Sequence, residues 1–120
     1  MNEDYVSYEV AKQLKEKGFD SHYSTHFYKN NKLECYMDDR KKYWLQKDEY
    51  AAPSLYIAQK WLRSHGYHVE VVYMRNDLWV YEILTIPHHD LVGLADRIIT
   101  NFISYEYALN AGILEALKLI

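Results

Sequence analysis

Cysteine, proline and glycine are all scarce in this chain of 120 residues, which holds 1 Cys, 2 Pro and 4 Gly. A single thiol, Cys35, excludes an intramolecular disulfide and points to a reducing compartment. None of the glycines falls in a G-x-G-x-x-G or Walker spacing, which excludes a phosphate-cradling loop of either kind. A basic excess is missing too. The chain carries 14 Lys and Arg against 17 Asp and Glu, a formal net charge of -3. Proteins that grip phosphate backbones usually show the opposite balance, so nucleic-acid binding would need a local patch. No apolar run approaches the ~20 residues of a membrane span, and the acidic opening Met1-Asn2-Glu3-Asp4-Tyr5 does not read as a signal peptide. These absences predict a soluble cytoplasmic protein with no membrane partner.

Hydrophobic residues make up 49% and charged residues 26%, values of an ordinary globular chain rather than a disordered one. The excess is in tyrosine, with 13 copies. Tyrosine joins a large apolar ring to a hydroxyl and suits half-buried strands and binding surfaces. The length fits one domain over 1–120.

Three segments open on serine: Ser7-Tyr8-Glu9, Ser54-Leu55-Tyr56 and Ser104-Tyr105-Glu106. Serine at an N-cap accepts a hydrogen bond from a free N–H of the first turn, and the glutamates complement the helix dipole. A first helix is expected over 8–17, with Val10, Ala11 and Leu14 inward and Lys12, Gln13, Lys15 and Glu16 in water. A second is expected over 55–65, and a third over 105–119. Gly18 and Gly66, each followed by an aromatic residue, end the first two. Hairpins should follow, 22–28 with 33–37 around Asn30-Asn31, and 68–74 with 78–86 around Arg75-Asn76-Asp77.

The expected class is α+β: an antiparallel sheet of about four strands packed on three helices, in the order α-β-β-α-β-β-α. The stretches 7–37 and 54–86 read as an αββ pseudo-repeat, with 104–120 as a C-terminal helix. The connector 38–52 reads as a strand extension or a helical turn. In 91–103, a short helix over 91–99 and a strand over 98–103 leading into the last cap are expected. The last helix is apolar around most of its circumference, so it should be buried at the centre of the domain or lie between two copies in a homodimer.

The tail Ser104-Tyr105-Glu106-Tyr107-Ala108-Leu109-Asn110-Ala111-Gly112-Ile113-Leu114-Glu115-Ala116-Leu117-Lys118-Leu119-Ile120, with Pro53 to Arg63 and Val80-Tyr81-Glu82-Ile83, resembles a family of short uncharacterised proteins from gut anaerobic, Bacteroides-like bacteria and their phages. The family's tail reads S-Y-E-E-A-L-E-A-G-I-x-E-A-L-K-L-I. Tyr107 and Asn110 depart from its acidic residues. The resemblance covers about a third of the chain. It implies a phage or mobile-element origin and supplies no activity. The tail also resembles, through generic capping chemistry, the helix that follows the sheet in small antitoxins.

Four constellations are chemically suggestive. A two-residue turn at Asn30-Asn31 would set His26 opposite Cys35, and a histidine beside a thiol can make a nucleophile, with Asp38 or Asp39 orienting the ring. The bland alternative is a small buried hydrophobe. Among 6 histidines, His88 and His89 are adjacent after Pro87, with Asp90 next, while His22 and His26 share a strand face and His65 and His68 straddle Gly66. No H-E-x-x-H or C-x-x-C pattern accompanies them, so no metal and no other cofactor is expected. Arg40-Lys41-Lys42-Tyr43-Trp44 combines cations with stacking surface, as a single-strand binder does, yet Asp38, Asp39, Asp48 and Glu49 surround it, as on a solvated connector. Glu70 and Glu82, near Tyr73 and Tyr81, could do acid–base work or merely face each other on a wet surface.

No catalytic motif emerges. The leading expectation is a non-catalytic protein-interaction or regulatory module with an unknown protein partner, contacting it through Tyr43, Trp44, Trp79 and Tyr81. A small nucleic-acid-binding regulator using Arg40, Lys41 and Lys42 is the alternative, and an enzyme using Cys35 and His26 the third.

Overall fold

The computed structural model describes residues 4–92 and 101–120. Its contacts gather into two compact units, Met1–Ala58 and Gln59–Ile120. The class is α+β.

In the first unit, helix α1 spans Tyr8–Glu16. Ser7 Oγ accepts from Val10 N at 3.4 Å, with Glu9 in the first turn. Gly18 closes the helix at φ +90°, where Phe19 N donates back to Leu14 O at 2.9 Å. Val10, Ala11 and Leu14 are wholly buried, as their spacing predicts. Burial of the valine and the leucine stabilises the unit by about 1.5–3 kcal/mol each.

Strand β1 (His26–Lys29) pairs antiparallel with β2 (Lys32–Cys35) and, on its other side, with β3 (Tyr50–Ala52). Asn30 and Asn31 take φ +52° and +62°, the left-handed pair that a two-residue hairpin turn requires. The first strand is shorter than expected. Asp20 accepts from His22 N and turns Ser21–Tyr23 into a 3-10 helix, which removes 22–25 from the strand. On the α1 side of this sheet, the Tyr8 ring meets Tyr28 and Tyr50 edge-on at 5.7 and 5.5 Å. Tyr28 Oη donates to Val6 O at 2.7 Å, and burial raises its pKa.

Helix α2 (Leu55–Ser64) begins at Ser54, whose Oγ accepts from Ile57 N at 3.2 Å, and carries the chain into the second unit. There β4 (Tyr67–Tyr73) and β5 (Trp79–Thr85) form a seven-pair antiparallel ladder from Tyr67↔Thr85 to Tyr73↔Trp79. The two hairpins therefore lie in separate sheets, ordered β2-β1-β3 and β4-β5, rather than in a single sheet. Leu91 and Phe102 bridge to Leu84 and Trp79. The helix expected over 91–99 lies outside the described residues from 93 onward, as do 98–100 of the strand expected over 98–103, whose described part, 101–103, holds only the Phe102 bridge.

Helix α3 (Tyr105–Leu117) starts at Ser104, whose Oγ accepts from Tyr107 N at 3.1 Å. Its buried residues are Ala108, Leu109, Gly112, Ile113, Ala116 and Leu117, and it packs on β4 and β5. Gly112 permits that approach. A Cβ there would lie 2.5 Å from Val69 Cγ1 and 2.9 Å from Tyr81 Cγ, inside contact distance.

Candidate functional site

The connector between β2 and β3 is folded. Asp38 caps a 3-10 helix over Asp39–Tyr43 by accepting from Arg40 N at 2.9 Å, and β3 follows at Tyr50. Each of the three cations at 40–42 has a carboxylate. Arg40 bonds Asp38 through Nε and Nη2, Lys42 reaches Asp39 at 3.1 Å, and Lys41 reaches Glu49 at 2.7 Å. The Arg40 side chain and then its backbone N–H hold the Asp38 carboxyl below its ordinary pKa. The basic run that the alternative reading offers to nucleic acid thus has a carboxylate on each cation, as a solvated connector would.

Glu49 is the anchor of this segment. Its side chain is 1% exposed and also accepts from Gln46 N at 2.7 Å. Burial pushes its carboxyl up. The hydrogen bonds from Lys41 and Gln46 and the charges of Lys41 and Lys29 outweigh that and hold it below the ordinary value. Lys15 anchors the segment from α1. Its Nζ donates to the carbonyls of Gln46, Lys47 and Glu49 at 3.3, 2.9 and 3.2 Å and lies 5.0 Å from the Tyr50 ring centre. Lys15 is exposed, as its place on the polar stripe predicts, and is also tied to the connector.

So held, the connector displays large rings. Tyr43 is 55% exposed and Trp44 64%. The Tyr43 hydroxyl shares a hydrogen bond of 2.6 Å with His22 Nδ1, and the His22 ring stands edge-on to Tyr23, itself 61% exposed. His22, Tyr23 and Tyr43 thus form a row of rings on the short 3-10 helices Ser21–Tyr23 and Asp39–Tyr43, and the exposed Trp44 follows at the cap. Trp79 and Tyr81 belong to the other unit and are half-buried there. Trp79 packs edge-on between Tyr73 at 5.0 Å and Tyr105 at 5.6 Å, and Tyr81 lies beneath Gly112.

The register sets His26 directly opposite Cys35, as the turn implied. Cys35 is exposed rather than a buried hydrophobe. The His26 ring is held against Tyr5 at 4.1 Å and bonds Thr25 Oγ1 through Nδ1 at 2.8 Å. A groove of about 590 Å³ borders the thiol, lined by Phe27, Glu34, Met37, Asp38 and Lys41. Asp38 and Asp39 are engaged instead by Arg40 and Lys42, and among the described residues neither accepts a hydrogen bond from His26. His88 and His89 are exposed in the turn after Pro87, with His89 at φ +63°. Among the described residues, no three His, Cys, Asp or Glu side chains converge on a point that could hold a metal. Glu70 and Glu82 face each other across the β4–β5 ladder.

Three residues of this surface escaped the sequence reading. Glu49 stood among acidic neighbours with no pattern marking it as buried. Lys15 sat at a polar helical position. His22 was assigned to a strand, although Asp20-Ser21 just before it is a capping signal.

Compared with known proteins, the chain matches no family model, no curated protein and no solved structure.

Proposed function

We propose that the chain is a non-catalytic protein-interaction module with a regulatory role, and that its contact surface is the row His22, Tyr23 and Tyr43 together with Trp44. The observation that carries this reading is the combination of exposure and rigidity at Tyr43 and Trp44. Both rings are more than half exposed, and the segment that carries them is tied down on either side, by Glu49 at Lys41 and Gln46 and by Lys15 at 46–49. Exposed aromatic side chains with little conformational freedom left to lose are the usual anchors of protein interfaces. The carboxylate on each of Arg40, Lys41 and Lys42 supports a protein partner over nucleic acid, because a phosphate backbone would have to displace all three. The resemblance of the C-terminal helix supports a mobile-element origin.

The test is affinity capture from native-host lysate with the wild type, the double variant Tyr43→Ala/Trp44→Ala, and a control, Met74→Ala, at an exposed position of the second unit. Proteins retained by wild type and control but lost by the double variant are the expected result, with unchanged circular dichroism. The same proteins in all three captures would end the proposal.

A further inference from the structure

Behind the aromatic row, a cavity of about 220 Å³ opens between α1, the two 3-10 helices and β3. Phe19, Leu45 and Ala51 give it an apolar floor. Its polar lining is mostly committed. Ser21 Oγ donates to the Lys42 carbonyl, and the Tyr43 hydroxyl is bonded to His22. Lys15 directs its three ammonium hydrogens at three backbone carbonyls.

Lys42 differs. Its side chain is only 11% exposed, and its ion partner is Asp39, whose own side chain is 86% exposed. An ammonium has three N–H donors. Asp39 lies 3.1 Å away as its ion partner, and among the described residues the ammonium otherwise meets the face of the Tyr43 ring, 5.6 Å away. The N–H groups of this half-buried cation thus remain open to an acceptor at the wall of the apolar cavity.

We infer that this cavity binds a carboxylate carried on a small apolar or aromatic body, with Lys42 as the carboxylate's partner and Phe19, Leu45 and Ala51 enclosing the body. The charge of Lys15, balanced by dipoles rather than by a carboxylate, favours an anion over a neutral ligand. The donors left free on one lysine suit a monoanion better than a phosphate. The volume lies below the ~300–1,000 Å³ of sites for drug-sized ligands, so the occupant is fragment-sized. A free organic acid and the C-terminal residue of a peptide share this chemistry. The inference does not require that the aromatic row bind a protein.

The experiment is a titration of ¹⁵N-labelled full chain, followed by amide chemical shifts, with phenylacetate, phenylacetamide and N-acetyl-Gly-Gly-Phe. Saturable shifts at Phe19, Ser21 and 42–45 with the free acid or the peptide are expected, and the tighter of the two names the source. The amide should bind roughly tenfold more weakly or not at all, since it lacks the charge-assisted bond. Lys42→Gln should weaken the acid to a similar degree. Asp39→Asn, at a solvent-exposed position, should tighten it several-fold by releasing Lys42. The inference is overturned if neither carboxylate shifts these amides, if the amide binds as well as the acid, or if Asp39→Asn weakens binding.

Discussion

Removing the carboxylate of Glu49 should loosen the segment that carries the aromatic row, and the structure sets the size of the effect. In Glu49→Ala, Lys41 loses a partner 2.7 Å away and Gln46 N loses its acceptor. Breaking a fully buried pair costs about 3–5 kcal/mol. The Lys41 side chain is 31% exposed, so water recovers part of that, while the Gln46 bond adds about 1 kcal/mol. The expected loss is about 2–3 kcal/mol. Glu49→Gln keeps the volume and can still accept from Gln46, so its loss should be about 1–2 kcal/mol. The assay is urea denaturation at neutral pH, read as a change in midpoint at unchanged slope. A double-mutant cycle with Lys41→Ala should return a coupling of about 1–2 kcal/mol. Acidification gives a second reading. The native Glu49 carboxyl lies below its ordinary 4.5, so the unfolded chain takes up the proton first as pH falls. The stabilisation is complete above the unfolded value and is lost as pH drops through the native one. The gap between wild type and Glu49→Gln should thus be flat from pH 7 to about 5.5 and close in more acid solution. A coupling near zero, or a gap that widens in acid, would refute the anchoring role.

Two further substitutions probe the units separately. Gly112→Ala replaces a poor helix former by the best one, a gain of about 1 kcal/mol, yet its Cβ would meet the stiff Val69 side chain at 2.5 Å and the root of the Tyr81 ring. Overpacking of this kind costs about 1–3 kcal/mol, so the melting temperature should fall, and Val69→Ala in the same chain should recover part of the loss; a rise in the single variant would mean that α3 does not lie so close to β4. Tyr28→Phe removes the buried bond to Val6 O and leaves that carbonyl short of a donor, so chemical denaturation should show a loss of about 1 kcal/mol.

Local chemistry made much of the fold legible before any coordinates. Ser7, Ser54 and Ser104 all cap helices, because a serine before an apolar helical stripe has few better uses. Asn30-Asn31 fixed a register and so brought His26 to Cys35, since the spacing of a two-residue turn admits one pairing. What escaped was set by distant partners. Whether two hairpins share a sheet is decided by edges that carry no sequence mark, and here they do not. The three cations at 40–42 looked like a patch because their carboxylates, at positions 38, 39 and 49, looked merely adjacent rather than bonded. Lys15 had the periodicity of a solvated residue, and only the folded chain shows that its stem reaches across to the connector.

That reach links the order of the connector to events elsewhere in the first unit. The carbonyls held by Lys15 are 31, 32 and 34 residues away in the chain, so those bonds cannot close until α1 has formed and β3 has docked on β1. Contacts of such long sequence separation come late in folding, after the loop entropy has been met. Beyond the 3-10 helix Asp39–Tyr43, the segment 38–49 has no regular structure, so the order of 46–49 depends on those bonds. Amide exchange at 46–49 then reports on a local opening that separates the lysine from its carbonyls while β1 and β2 stay paired.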